Sequence, residues 1–353
     1  MPTSRRVFAA AHVAAVDAET IDWEATMDFR DHLWAHGFAV AEAMDTAQRG
    51  MGLNWSQTQE LIARTAKRAA SVGGGLACGA GTDQLSSGVG HSLGAITDAY
   101  REQIEVVQTS GATVILMASR ALAASAISGR DYLSVYTALL RDVDQPAILH
   151  WLGDAFDPAL RGYWGAVNSN AAADVVIELI ARAGDRIDGV KVSLLDAEFE
   201  IALRQRLPAG VRLYTGDDFD YARLIRGDGM RHSDALLGAF AAITEPAAEA
   251  LQALDAGDLE RYDAVMYATL PLSRKVFETP TFNYKVGIAF LAWLNGFQPQ
   301  FRMIGDLQGQ RSRAHLVEVF RLAAGAGALR DPELSIERMT QFLAERSDEA
   351  VLA

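Results

Sequence analysis

Lysine is scarce in this 353-residue chain: of 32 basic residues only four are lysines, Lys67, Lys191, Lys275 and Lys285, and the other 28 are arginines. Arginine stays protonated in proteins, so any chemistry that needs a neutral amine has few candidate side chains. Cysteine is scarcer still. Cys78 stands alone, which excludes an internal disulfide and, with no CxxC pair, a structural zinc motif, and fits a reducing cytoplasmic setting. Positive charge is outweighed by 45 acidic residues, giving a net charge of −13, so the basic footprint that nucleic acid or an anionic membrane surface requires is missing. No stretch of about 18 uncharged apolar residues occurs, and no membrane span is expected. The N-terminal Arg5-Arg6 followed by apolar residues to Val16 superficially resembles a twin-arginine export signal. The run is short and carries His12 in its middle, so it reads as a first buried strand.

What is present is an alternation. Short apolar runs recur at Val7–Ala14, Phe38–Ala41, Gly75–Gly79, Thr113–Met117, Ala147–Leu152, Gly189–Leu195 and Val211–Thr215. Between them lie segments with helical spacing of apolar residues, among them Ala25–His36, Glu60–Ala70, Ile96–Thr109, Tyr132–Arg141, Ala173–Ala183 and Glu198–Arg206. Ser56 with Gln59 reads as a capping box for the second of these, and Gly37 and Gly184 as helix ends. Nearly continuous apolar strands alternating with helices predict a parallel sheet covered by helices. A doubly wound sheet would place a glycine-rich phosphate turn after its first strand, and none follows Ala14; Gly73-Gly74-Gly75 precedes a strand instead. The prediction is therefore an α/β (β/α)8 TIM barrel over 1–245, with Gly229-Met230-Arg231-His232 as its eighth strand and a C-terminal helical extension over 246–353.

In such a barrel the site lies at the C-terminal strand ends, where Glu42, Asp45, Thr46, Asp83, Ser119, Arg120, His150, Asp154, Asp196, Asp217, Asp218 and His232 are the candidates. Lys191 stands apart from them. It sits in Gly189-Val190-Lys191-Val192-Ser193-Leu194-Leu195, which otherwise reads as a buried strand. A lysine there is costly to bury, and desolvation shifts it towards the neutral amine that attacks carbonyls.

Gly189-Val190-Lys191 followed by Asp196, the turn Leu213-Tyr214-Thr215-Gly216-Asp217-Asp218, and the later Ala256-Gly257-Asp258-Leu259 and Tyr284-Lys285-Val286-Gly287-Ile288-Ala289 resemble segments of one known superfamily. It is the dihydrodipicolinate synthase and N-acetylneuraminate lyase superfamily of class I aldolases, and the resemblance, that of a divergent branch, covers residues 5–297. It implies that Lys191 is the Schiff-base lysine, that no metal or organic cofactor is needed, and that the protein is a homo-oligomer, dimer or tetramer, acting on a small-molecule keto substrate. The apolar run Val286–Leu294 is then either a subunit interface or a helix packed on its own barrel.

Two departures bear on the substrate. Where the family has Gly-Thr-Thr-Gly-Glu to hold the carboxylate of pyruvate, this chain has Met44-Asp45-Thr46-Ala47-Gln48. An aspartate there repels a carboxylate and favours a hydroxylated donor such as a keto sugar or sugar-acid derivative, with Glu42, Asp45, Thr46, Asp154, Asp196 and Asp217 as hydroxyl partners. Where the family has its proton-relaying tyrosine, this chain has His150, followed by Leu152-Gly153-Asp154 in place of an arginine. His150 is accordingly the expected proton carrier. Two alternatives compete. One is a divalent-metal-dependent lyase or isomerase using Glu42, Asp45, His150, Asp196, Asp217 and His232, a mechanism that has no need of Lys191 as an imine former. The other is a sugar-binding barrel without activity.

Overall fold

A computed structural model describes residues 2–86 and 90–349, the side chains of 345–349 excepted. Eight parallel strands close into a barrel in sequence order: β1 Val7–Ala10, β2 Ala39–Glu42, β3 Leu76–Ala80, β4 Thr113–Leu116, β5 Ala147–Leu152, β6 Ile187–Ser193, β7 Arg212–Thr215 and β8 Asp234–Leu237. β1 closes the ring on β8 through Phe8 opposite Leu236.

Strand side chains alternate, and the two faces form two separate apolar clusters. Phe8, Ala41, Ala77, Ile115, Ile148 and Tyr214 fill the barrel interior. Val40, Cys78, Leu149, Trp151, Val190 and Val192 point the other way and join the core shared with the helices. With both faces covered, strands read as unbroken apolar runs, which is why seven of them were visible as such. The eighth lies at Asp234–Leu237 and not at Gly229–His232. Asp228 accepts from the backbone of Met230 and Arg231, so that stretch is a turn leading into the strand.

Helices fall where the spacing places them, for example Trp23–Ala35, Trp55–Val72 and Ala197–Arg206. The capping box of Trp55–Val72 is formed by Asn54 and Gln57, two residues upstream of the expected Ser56 and Gln59. After β8 come Thr244–Asp255, Leu259–Val276, Tyr284–Leu294, Arg313–Gly325 and Pro332–Glu349. Leu259–Val276 is tied to the loop and helix after β7 by polar contacts. Ser273 Oγ donates to the Asp218 carbonyl at 2.6 Å, and Tyr262 OH to that of Ala222 at 2.7 Å. Every residue of Val286–Leu294 is buried within the chain, so intrachain packing accounts for the whole run. Among the described residues no helix is long and apolar enough to cross a membrane.

Candidate active site

Lys191 reaches the barrel interior because β6 alternates: Gly189, Lys191 and Ser193 face inward while Val190 and Val192 join the outer core. Two glycines make the room. A Cβ on Gly189 would stand 2.8 Å from the Tyr214 ring, and one on Gly216 would stand 2.1 Å from Ser193 Oγ and 2.9 Å from Lys191 Cε. The lysine stem therefore lies across Gly216, at the end of β7.

Lys191 is 7% exposed, and among the described residues no hydrogen bond or ion pair engages its Nζ. Burial lowers its pKa below the ordinary lysine value, against the opposing pull of Asp45 and Asp218. Burial in turn raises Asp218, whose Oδ1 accepts from Ala239 N at 3.1 Å. His150 is the register partner of Lys191 on β5 and is fully buried. Its Nε2 lies 3.4 Å from Ser193 Oγ, and its Nδ1 has no partner among the described residues. Burial first, and then the charge of Lys191, pushes its pKa well below the ordinary histidine range, so the ring is a neutral imidazole.

The mouth above this pair is built by the turn after β2. Asp45–Ala47 is a short 3₁₀ segment bracketed by Ala43 and Gln48 at φ +54° and +61°. Such left-handed non-glycine residues are held only where surrounding structure fixes them; Gln48 Nε2 donates to the Ile304 carbonyl at 2.7 Å. Thr46 Oγ1 pairs with Tyr284 OH at 2.8 Å, and the Tyr284 ring stacks on Phe277 at 4.5 Å. Lys285 follows, with Nζ 3.1 Å from the Phe282 carbonyl and 4.7 Å from the Tyr284 ring centroid. Burial lowers its pKa to about 8, with Asp45 acting in the opposite sense. Beside Asp45 opens a cleft of about 370 Å³ lined by Arg49, Thr82, Asp83, Ser119, Arg120 and Asp157 among others. Arg49 pairs with Asp83 at 2.7 Å and Arg120 with Asp157 at 2.5 Å. The Asp45 carboxylate has no hydrogen-bond or ion-pair partner among the described residues.

The remaining sequence candidates are not brought to this point. Glu42 shares the outward parity of Val40. Both its oxygens are taken in the helix layer, by Arg30 at 2.8 and 2.9 Å and by Thr65 at 2.7 Å, and it is not at the mouth. Asp196 caps the helix Ala197–Arg206 by accepting from Phe199 N at 3.0 Å, and Asp154 is exposed. Asp217 is buried in a turn, accepting from Phe219 N at 2.9 Å and Asp220 N at 3.0 Å; its neighbour Asp218 acts on Lys191 instead. His232 precedes β8 and so lies at the opposite end of the barrel. The proposed metal set therefore does not converge: among the described residues the group of three or more ligand-type side chains within reach of one another is His32, His36 and Glu245, outside the barrel mouth. Tyr284 and Lys285 entered the reading of the sequence only within a resembling segment and without a role, and Arg49 not at all. The available signal was a second lysine, Lys285, inside an apolar segment.

A family described as DUF993, protein of unknown function, matches residues 1–347. The chain belongs to that family. No curated protein matches this DUF993 chain. Solved structures of dihydrodipicolinate synthases match its fold. The enzyme from Aquifex aeolicus is 15% identical with a TM-score of 0.70, covering 93% of this chain and 100% of that one. That from Bacteroides thetaiotaomicron is 13% identical with a TM-score of 0.71, covering 92% and 99%. That from Oceanobacillus iheyensis is 14% identical with a TM-score of 0.68, covering 91% and 96%. At such identities the likeness shows the barrel with its C-terminal helices, and the chemistry of the DUF993 site rests on its own residues.

Proposed function

We propose that this protein is a Schiff-base-forming class I lyase, an aldolase or hydro-lyase, acting on a hydroxylated keto compound of the keto-sugar or sugar-acid type. The observation that carries the reading is Lys191: an inward-facing, buried lysine with no ion-pair partner among the described residues, its stem accommodated by Gly216. Neutral Nζ adds to the ketone carbon to give a carbinolamine. The carbinolamine hydroxyl takes up a proton and leaves as water, and the iminium so formed draws in the electron pair of a neighbouring bond as it breaks. His150 is too strongly desolvated to become an imidazolium, so it relays as a neutral ring, taking a proton at one nitrogen as it releases the proton of the other, with Ser193 Oγ as the partner of Nε2. Asp45, unpaired, and Thr46 orient substrate hydroxyls. The arginines of the cleft are matched by Asp83 and Asp157, which supports a neutral polyol in preference to a second carboxylate.

The test is borohydride reduction in the presence of 2-oxo acids, keto sugars and deoxy-keto sugar acids, read by intact mass and peptide mapping. One panel member is expected to leave its reduced mass on Lys191, and Lys191→Gln to abolish it. Label found only on Lys285, or none with any panel member, overturns the reading.

A further inference from the structure

We propose that His32, His36 and Glu245 form a site for a transition-metal dication of the zinc type on the outside of the barrel, joining its first and last helices. The chemistry of the donors points there. His32 and His36 are one helical turn apart at the end of Trp23–Ala35, the i, i+4 spacing that puts two imidazoles on one face. His32-Leu33-Trp34-Ala35-His36 is an HxxxH pair that the reading of the sequence missed. Glu245 comes from the first turn of Thr244–Asp255, and one ligand atom from each of the three lies within 4.8 Å of the others. His32 Nε2 is already 3.6 Å from Glu245 Oε1. Donors around a tetrahedral zinc stand about 3.3–3.4 Å apart, given bonds of about 2.0–2.1 Å, so closing the site is a matter of side-chain adjustment.

The surroundings preset the ligands. His36 Nδ1 lies 2.8 Å from the His32 carbonyl oxygen. A carbonyl only accepts, so Nδ1 carries the proton and Nε2 keeps its lone pair for an ion; this is the backbone support that metal-binding histidines generally have. His32 packs against the Phe297 ring at 4.6 Å, which holds its imidazole on the face it shares with His36 and Glu245. One group opposes: Arg330 Nε lies 3.9 Å from Glu245 Oε1, its guanidinium stacked on Phe297 at 4.9 Å. It competes for the carboxylate and limits affinity, and it fixes the sign of a further variant. Because these helices follow β1 and β8, which pair to close the barrel, an ion there ties the two ends of the barrel together and stabilises the folded chain.

The experiment titrates the full chain, stripped with chelator, with Zn²⁺ by calorimetry and with Co²⁺ by visible absorption. One Zn²⁺ per chain is expected, with a higher melting temperature in its presence. His36→Gln and Glu245→Gln, both at half-buried positions, should each weaken binding by about tenfold or more and remove the thermal shift, while Arg330→Gln should tighten it. No saturable binding below about 1 mM, or binding unchanged in both ligand variants, overturns the proposal.

Discussion

His150 and Lys191 are register partners on adjacent strands, both turned into the barrel interior and both buried. The charge of Lys191 helps hold His150 neutral, while burial of Lys191 itself favours its neutral amine against the pull of Asp45 and Asp218. Two basic groups side by side in an apolar barrel do not both carry charge, and the lysine nearer the carboxylates is the one that titrates.

The titration of Lys191 can be read without knowing the substrate. Reductive methylation by formaldehyde and cyanoborohydride requires the neutral amine, and peptide mapping reports each lysine separately. Because burial lowers Lys191 and Lys285, their labelling should rise with pH at midpoints below about 10.4, the ordinary lysine value. Asp45 pulls both lysines upward, so Asp45→Asn should move both midpoints further down. A Lys191 midpoint at or above the ordinary lysine value of about 10.4 would show that its environment does not activate it.

Gly216→Ala tests whether the lysine stem needs the space at the end of β7. A Cβ there meets Ser193 Oγ at 2.1 Å and Lys191 Cε at 2.9 Å, so the side chains must shift. We expect a stability loss of about 1–3 kcal/mol from the overpacking and a labelling or adduct rate at Lys191 about 10–100-fold lower. Urea unfolding and mass spectrometry separate the two effects. Unchanged modification of Lys191 would place the stem elsewhere.

Most of the barrel was legible because strands covered on both faces are apolar without interruption, and the helices between them keep their spacing. β8 was not, since Asp234-Ala235-Leu236-Leu237 is four residues long and begins with a charge. Lys191 was legible for the same reason as the strands, as a lone cation in an apolar run. The carboxylates were over-read. Strand parity, already implicit in Val40, turns Glu42 outward, and Asp196 sits where a helix N-cap belongs. Tyr284 and Lys285 reach the mouth only through the packing of the extension, some 90 residues beyond β6, and no local pattern encodes that.

The place of Glu42 can be checked directly. Arg30 and Glu42 are both completely buried and joined by two hydrogen bonds. Removing one partner leaves the other charge uncompensated, so Glu42→Gln and Arg30→Met should each cost about 3–5 kcal/mol in urea unfolding. Adduct formation on Lys191 in the folded fraction should not change. A selective loss of adduct from Glu42→Gln at intact stability would return Glu42 to the substrate.

Glu200 gives a pH signature of its own. It is buried behind β7 and β8, accepting from Ser233 Oγ at 2.7 Å and Thr215 Oγ1 at 3.0 Å. Burial, despite these hydrogen bonds, raises its pKa from 4.5 to about 8. A carboxyl raised on folding holds a proton that the unfolded chain has already released. Its contribution is therefore complete below pH 4.5 and is lost as pH rises through about 8. Gln has no proton to lose and keeps both hydroxyl contacts within reach. Glu200→Gln should thus gain on the wild type across that window, by on the order of a few kcal/mol at its upper end, with little difference at pH 4. Urea unfolding at a series of pH values measures this, and a pH-independent difference would mean that Glu200 is ionised in the folded protein.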